Sequence, residues 1–328
     1  MFKKSRPLFL LCESPLHAGS GSELGIVDLP IQREKHTDFP KIEASSLKGA
    51  VRQAFETKLV LSESDKEKAK QNLITINRIF GYDEAEVLHY KDTQKNAFKE
   101  YTQFMGCVAV SDARLLLFPV KSLHGVFAWL TCPKIINRFI EDMQLAGISE
   151  GIPSIDAPQV IAVAPETTLV DDKKLQLEEF IFKNPDKNEQ VKKLGIWLKN
   201  TLLGEQDKSY WAGKLEKDIV VLNDTDFTHF VKLSTEVITR TKIDNTTGTV
   251  AEGALFTEEY LPAESVLYSI VLFADEMSKY KEEKMNADKV KEFFIQGLPR
   301  VMQVGANATL GKGIVKTKFV DKQEGGTK

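Results

Sequence analysis

Residues 14–52 gather the types that could do chemistry in a stretch too polar to be core: His17, Asp28, the glycines Gly19, Gly21 and Gly25, and the run Ser45, Ser46, Lys48, Arg52. Leu47, Val51, Phe55 and Leu59 recur at i, i+4 spacing, which predicts an amphipathic helix capped by Ser45 and Ser46. Lys48 and Arg52 then share one face of its first turns. Serine hydroxyls, free backbone N–H groups and two cations at a helix start suit an anion, a phosphate foremost; a solvated basic face is the plainer alternative. Asp28 stands between the short apolar run 24–27 and Pro30, in a segment 18–40 that reads as a long, partly ordered loop. A loop folded over the body would hold Asp28 at a defined place, and a turn aspartate bonded to its own backbone is the competing reading.

Two later stretches add to this. Extended runs flank the turn DNTTG, residues 244–248, so 237–260 is expected to project as a β-hairpin with Arg240 and Lys242 on one face of its first arm. A polar tip leaves such a ribbon free of the core, and its cations could reach a nucleic-acid backbone; an ordinary surface hairpin is the alternative. GANATLGKG, residues 305–313, looks superficially like a phosphate loop, but five residues rather than four separate Gly305 from Gly311, and Gly313 stands where Ser or Thr would coordinate magnesium. The glycines allow close approach of backbone to a polymer, or a tight helix–strand connection.

HAGSGSELGIVDLPIQREKHTDFPKIEASSLKG, residues 17–49, resembles the N-terminal signature of RAMP-superfamily backbone subunits of type III-B CRISPR effector (Cmr) complexes. RTKIDNTTGTVAEGALFTEEYLP, 240–262, resembles their thumb hairpin, and VGANATLGKG, 304–313, their C-terminal glycine-rich loop. The resemblance implies an α+β fold: a ferredoxin-like (RRM-like) palm with inserted lid and fingers helices and a protruding β-hairpin thumb. It implies a filament of copies that binds CRISPR guide RNA beside other Cmr subunits, the thumb entering the guide–target duplex, and cleaves target RNA at regular intervals in antiviral defence.

By the same resemblance Asp28 is the first choice as proton acceptor or as ligand of Mg2+ or another divalent metal, with His17, Glu258 and Tyr260 in acid, orienting or metal-shell roles. Lys48, Arg52, Arg33, Lys41, Ser46, Arg240, Lys242, Gly305, Gly311 and Gly313 are the expected RNA contacts, since sequence-independent binding needs cations and loop N–H groups. Cleavage by attack of the substrate's own 2′-hydroxyl needs little else. A non-catalytic, structural guide-RNA-binding backbone subunit is the alternative, with an endoribonuclease processing CRISPR RNA precursors through His17 a third.

The frame for these residues reads less clearly. At 328 residues the chain suits one elaborated domain or two, and a net charge of −3 with a pI near 6.1 gives no global pull toward nucleic acid, leaving that to local basic faces. No run of 18 apolar residues and no convincing signal peptide are present, so a soluble cytoplasmic protein without a membrane partner is expected. Cys12, Cys107 and Cys132 form no CxxC pair, and the five histidines no HExxH arrangement.

Strands are expected at 7–13, 265–273 and 313–320, a central hairpin over 107–119, and helices from Ser45 and over 62–72, 125–143 (broken by Pro133), 173–182, 188–203 and 287–301. That order suits an antiparallel sheet with helices on one face. The division expected is 1–164 as the first part of the palm, 165–232 as a helical insertion without functional account, 233–262 as thumb and 263–328 as the rest of the palm.

Overall fold

Leu8, Phe9 and Leu10 are fully buried in succession, so the first strand, β1 (Lys4–Cys12), must be covered on both faces. The computed structural model describes residues 2–22, 25–82, 104–148, 151–155, 161–277 and 283–321; Leu24 and nearly all of the polar stretch 89–104 lie outside them. After β1 come α1 (Ala44–Glu56), α2 (Lys66–Phe80), β2 (Ala113–Lys121), β3 (Phe127–Thr131), α3 (Pro133–Leu145), α4 (Glu189–Leu202), α5 (Tyr210–Lys217) and α6 (Asp224–Leu233). The hairpin strands β4 (Glu236–Ile243) and β5 (Val250–Tyr260) follow, then β6 (Val266–Phe273), α7 (Ala287–Gly297), β7 (Val301–Gln303) and β8 (Ile314–Phe319).

The fold is α+β, built on one large mixed sheet. Its centre runs β2-β6-β1-β8, each neighbour antiparallel to the next, with α1 linking β1 to β2 and α7 linking β6 to β8. Helices cover both faces rather than the one expected. Lys4 pairs with Phe273 and Phe9 with Tyr268, so alternate residues face opposite ways. The Phe273 ring meets Phe294 of α7 at 5.5 Å, while Phe9 and Tyr268 meet Phe139 of α3 at 6.0 and 5.0 Å. Phe55 of α1 closes the first face against Phe80 and Phe294.

Beyond β2 the sheet continues through β3 to short strands at Ile219–Val221, Ala162–Val163 and Asp186–Lys187, two of these pairings being parallel. Segment 165–232 therefore contributes strands as well as α4–α6. Residues 173–182 are not a helix: Lys174–Leu177 and Phe180–Lys183 form a hairpin. Leu175 and Leu177 are buried between more exposed neighbours, a period of two, and Asp172, Lys173 and Glu178 hold left-handed φ of 44°, 57° and 50°, which no right-handed helix tolerates.

Residues 107–119 differ as well. Val108–Val110 and β2 do not pair with each other; both pair with β6, end to end, and Ser111–Asp112 is a kink between them. Asp112 Oδ1 accepts the amide N–H of Ala44 at 2.9 Å, so this carboxylate holds the start of α1. Ser45 and Ser46 lie inside the first turn and do not cap it. In 125–143 the first residues form β3, and Pro133 begins α3 rather than breaking a helix, because its missing N–H costs nothing there.

Candidate functional site

The hairpin β4–β5 is a two-stranded ribbon outside the main sheet, running into β6 through residues 261–265. Asp244 accepts the amides of Thr246 and Thr247 at its tip, 2.7 and 3.1 Å away, and Val237, Ile243, Val250 and Leu255 are exposed along it. At its base β5 alternates: Thr257 and Glu259 face one side, Glu258 and Tyr260 the other.

The loop carrying Asp28 docks on the first side. Leu29 makes a parallel bridge to the free edge of β5, its N–H donating to Thr257 O at 3.0 Å and its carbonyl accepting from Glu259 N at 3.0 Å. Asp28 Oδ2 accepts from Thr257 N at 2.7 Å and from Thr257 Oγ1 at 2.9 Å, while the Asp28 N–H donates back to that hydroxyl at 3.0 Å. Asp28 is thus held by a residue 229 positions away, not by its own turn. It is exposed, and among the described residues Oδ1 has no partner. The Thr257 amide first, and then its hydroxyl, hold the Asp28 carboxyl below the ordinary aspartate value. Glu259 anchors the same loop two residues on, its carboxylate accepting from Ile31 N at 3.0 Å, from Arg33 and from Thr235 Oγ1 at 2.7 Å.

Glu258 and Tyr260, both buried, carry the other side. Tyr260 donates to Glu258 Oε2 at 2.6 Å, Arg240 Nε lies 2.5 Å from that oxygen, and Asn307 Nδ2 donates to Glu258 Oε1 at 2.7 Å and Tyr260 Oη at 3.0 Å. His17 Nδ1 donates to the Glu259 carbonyl at 2.7 Å, which turns Nε2 toward Glu258 Oε1, 3.6 Å away. Lys312 sits over the Tyr260 ring at 4.9 Å. Burial alone would raise the Glu258 carboxyl, but the Tyr260 and Asn307 hydrogen bonds with the His17 and Arg240 charges outweigh it and leave it lowered. Burial, then the Glu258 carboxylate, raises the Tyr260 hydroxyl. His17, Glu258, Tyr260 and Arg240 therefore converge with the glycine-rich loop, whereas Asp28 is fixed to the next residue of β5 on the opposite side.

The glycine-rich loop reaches this cluster because it can come close. Gly305 has φ +81°, and a Cβ there would lie 2.3 Å from the His17 carbonyl oxygen, which also accepts the Ala306 N–H at 2.9 Å. At Gly313, φ +71°, a Cβ would stand 1.9 Å from Val304 O, whereas Gly311 is left-handed with open space beside it.

The expected basic contacts divide. Arg33 is engaged by Glu259, Asp38 O and Val231 O, Lys41 by Asp112 and Glu43, and Arg52 by Glu56, Asn77 and Gly81 O. Ser46 Oγ accepts from Gln32, whose other end receives the Glu43 N–H and so ties the loop to α1. Lys48 and Lys242 have no carboxylate partner among the described residues; burial, then the Arg52 charge, lowers the Lys48 ammonium. Thr257, Glu259, Asn307, Lys312 and Asp112 were not singled out from sequence. Strand alternation around Glu258 and Tyr260 is the one signal that would have pointed to Thr257 and Glu259.

Among the described residues no three His, Cys, Asp or Glu side chains converge as a metal centre. No described helix is long and apolar enough to cross a membrane.

Comparison with known proteins assigns the class. The RAMP superfamily profile matches residues 9–316, and the chain belongs to that superfamily. Within it, the chain is 35% identical over 315 residues, covering 96% of itself and 95% of the relative, to a Pyrococcus furiosus protein named CRISPR system Cmr endoribonuclease Cmr4. The crystal structure of oligomeric Cmr4 from Pyrococcus furiosus superposes with a TM-score of 0.67 at 28% identity, over 97% of this chain and 98% of that one. A chain of a type III-B Cmr-beta complex bound to cognate target RNA shares the fold, TM-score 0.67 at 19% identity over 97% and 98%.

Proposed function

We propose that this chain is the repeated backbone subunit of a type III-B CRISPR ribonucleoprotein, working in the cytoplasm, which binds guide RNA with other copies of itself and other Cmr subunits and cuts complementary target RNA at regular intervals. The observation that carries this is Asp28: an ionised, exposed carboxylate clamped at the base of a projecting hairpin. The order β2-β6-β1-β8 with α1 and α7 as crossovers supports a ferredoxin-like palm, and the free ribbon 236–260 a thumb.

The target's 2′-oxygen attacks the adjacent phosphorus and the bond to the 5′-oxygen breaks; the 2′-hydroxyl loses a proton and the leaving oxygen gains one. A lowered pKa makes Asp28 a weak proton acceptor and suits it instead to orient the hydroxyl or hold a divalent ion. Such an ion, when bound, would offset charge on the phosphate. Arg240, Tyr260 and Asn307 keep Glu258 ionised and the hairpin base rigid, and His17 braces the glycine-rich loop against it. Lys48 and Lys242 supply cations for the RNA backbone.

The test is Asp28→Ala in a complex assembled with guide RNA: target binding is expected to persist while evenly spaced cuts vanish. If wild type binds and never cuts, or the variant cuts equally well, the chain is a non-catalytic backbone. Cutting of precursor repeat RNA by the isolated chain would instead favour a processing role.

A further inference from the structure

Asp28 is an exposed side chain on a loop, yet its carboxylate is held in place. Three hydrogen bonds to one residue account for this: Thr257 N and Oγ1 both donate to Oδ2, and Oγ1 accepts the Asp28 N–H. The pattern is reciprocal, so the hydroxyl is used as donor and acceptor and has no rotational freedom left. Oδ2 is consumed by the clamp, which presents Oδ1 outward. Two residues along, Glu259 holds Ile31 and Arg33 on the same side of β5, so the loop is pinned beyond Asp28 as well.

We propose that Thr257 is the positioning residue for Asp28, fixing which carboxylate oxygen faces the substrate and tying that oxygen to the base of the hairpin. Any displacement of the hairpin then moves the carboxylate with it, because clamp and hairpin strand are the same residue. This rests on the reading of Asp28 as the cleavage carboxylate.

Thr257→Val keeps the β-branched shape and the strand amide and removes only the hydroxyl. Thr257→Ala repeats the deletion without the extra methyl, and Thr257→Ser restores the hydroxyl. Each is assembled with guide RNA and the companion subunits beside wild type and Asp28→Asn, and single-turnover cleavage of a labelled complementary RNA is measured together with its affinity. Loss of a hydrogen bond to a charged group is expected to slow cleavage about ten- to a hundredfold in the Val and Ala variants. Target affinity should stay within about twofold, and the Ser variant should cut within about threefold of wild type.

Wild-type cleavage by the Val and Ala variants, with Asp28→Asn inactive, overturns the positioning role alone. So does a Ser variant as slow as Val, or a loss of affinity that matches the loss of rate. If Asp28→Asn itself cuts like wild type, the reading of Asp28 falls and the role of Thr257 with it.

Discussion

Tyr260 donates its hydroxyl to Glu258 Oε2 at 2.6 Å, and Asn307 of the glycine-rich loop reaches both, so two residues of one strand and one from a distant loop share a buried network. Glu258 is its hub, also facing Arg240 and His17. Glu258→Ala leaves Arg240 without its carboxylate and takes an acceptor from both Asn307 and the Tyr260 hydroxyl, a loss of about 3 kcal/mol. Tyr260→Phe removes one donor and leaves Glu258 its other partners, about 1 kcal/mol. Urea unfolding checks the ranking; equal losses would mean that Glu258 is not the hub.

Acid titration tests the two lowered carboxyls. The fold favours the ionised forms of Asp28 and Glu258, so the stability they add is present above the ordinary values of 3.8 and 4.5 and is lost as pH falls through the lowered ones. From about pH 7 to about pH 5 the melting temperature should owe no loss to them, and their contribution should disappear only below about pH 4. Comparing wild type with the Asp28→Asn, Glu258→Gln double variant over that range isolates it. A difference between the two that already collapses near pH 6 would contradict the assignment.

What the sequence could reveal followed from range. The hairpin was legible because its turn and alternating arms are local, and Asp28 was singled out through the resemblance of the run GIVDLPIQRE. The partner of Asp28 was not, since Thr257 lies 229 residues away and looks like any strand threonine. Residues 107–119 read as a hairpin because SD parts two apolar runs; only the pairing of both runs with β6 leaves Asp112 at a kink where its carboxylate holds the start of α1. The hairpin at 174–183 read as a helix because its buried positions, Leu175 and Leu177, are too few to declare a period of two against a charged background.

The glycines of the C-terminal loop should not be equivalent. Gly311→Ala pays for a left-handed backbone in open space, about 1 kcal/mol. Gly305→Ala pays that and also drives a methyl to 2.3 Å from the His17 carbonyl oxygen, so the loop must leave His17 and with it Asn307 must leave Glu258. Thermal melting is expected to fall several degrees further for Gly305→Ala. Similar melting of the two variants would show that the close approach carries no weight.

A lone carboxylate makes a further demand on cleavage. If Asp28 acts by holding a divalent ion at the substrate, chelating divalent ions should stop target cutting while leaving guide and target bound. Cutting that continues at full rate in excess chelator would assign Asp28 to orienting the hydroxyl.

Lys48 and Arg52 lie on one face of α1 but should behave differently when reversed to Glu. Arg52 is held by Glu56 at 3.0 Å, by Asn77 at 2.9 Å and by Gly81 O, so its guanidinium joins α1 to the end of α2. Reversal there places a carboxylate against Glu56 and is expected to lower stability first. Lys48 is partly buried and feels Arg52 as a like charge, with no carboxylate to lose among the described residues, so reversing it should lower stability less than reversing Arg52. If Lys48 meets the phosphate backbone, Lys48→Glu must weaken guide-RNA binding for every sequence alike and reduce the slope of log affinity against log salt by about one unit. Filter binding at several salt concentrations with two unrelated guides measures both quantities. An unchanged slope, or a loss confined to one guide, would remove Lys48 from the RNA path.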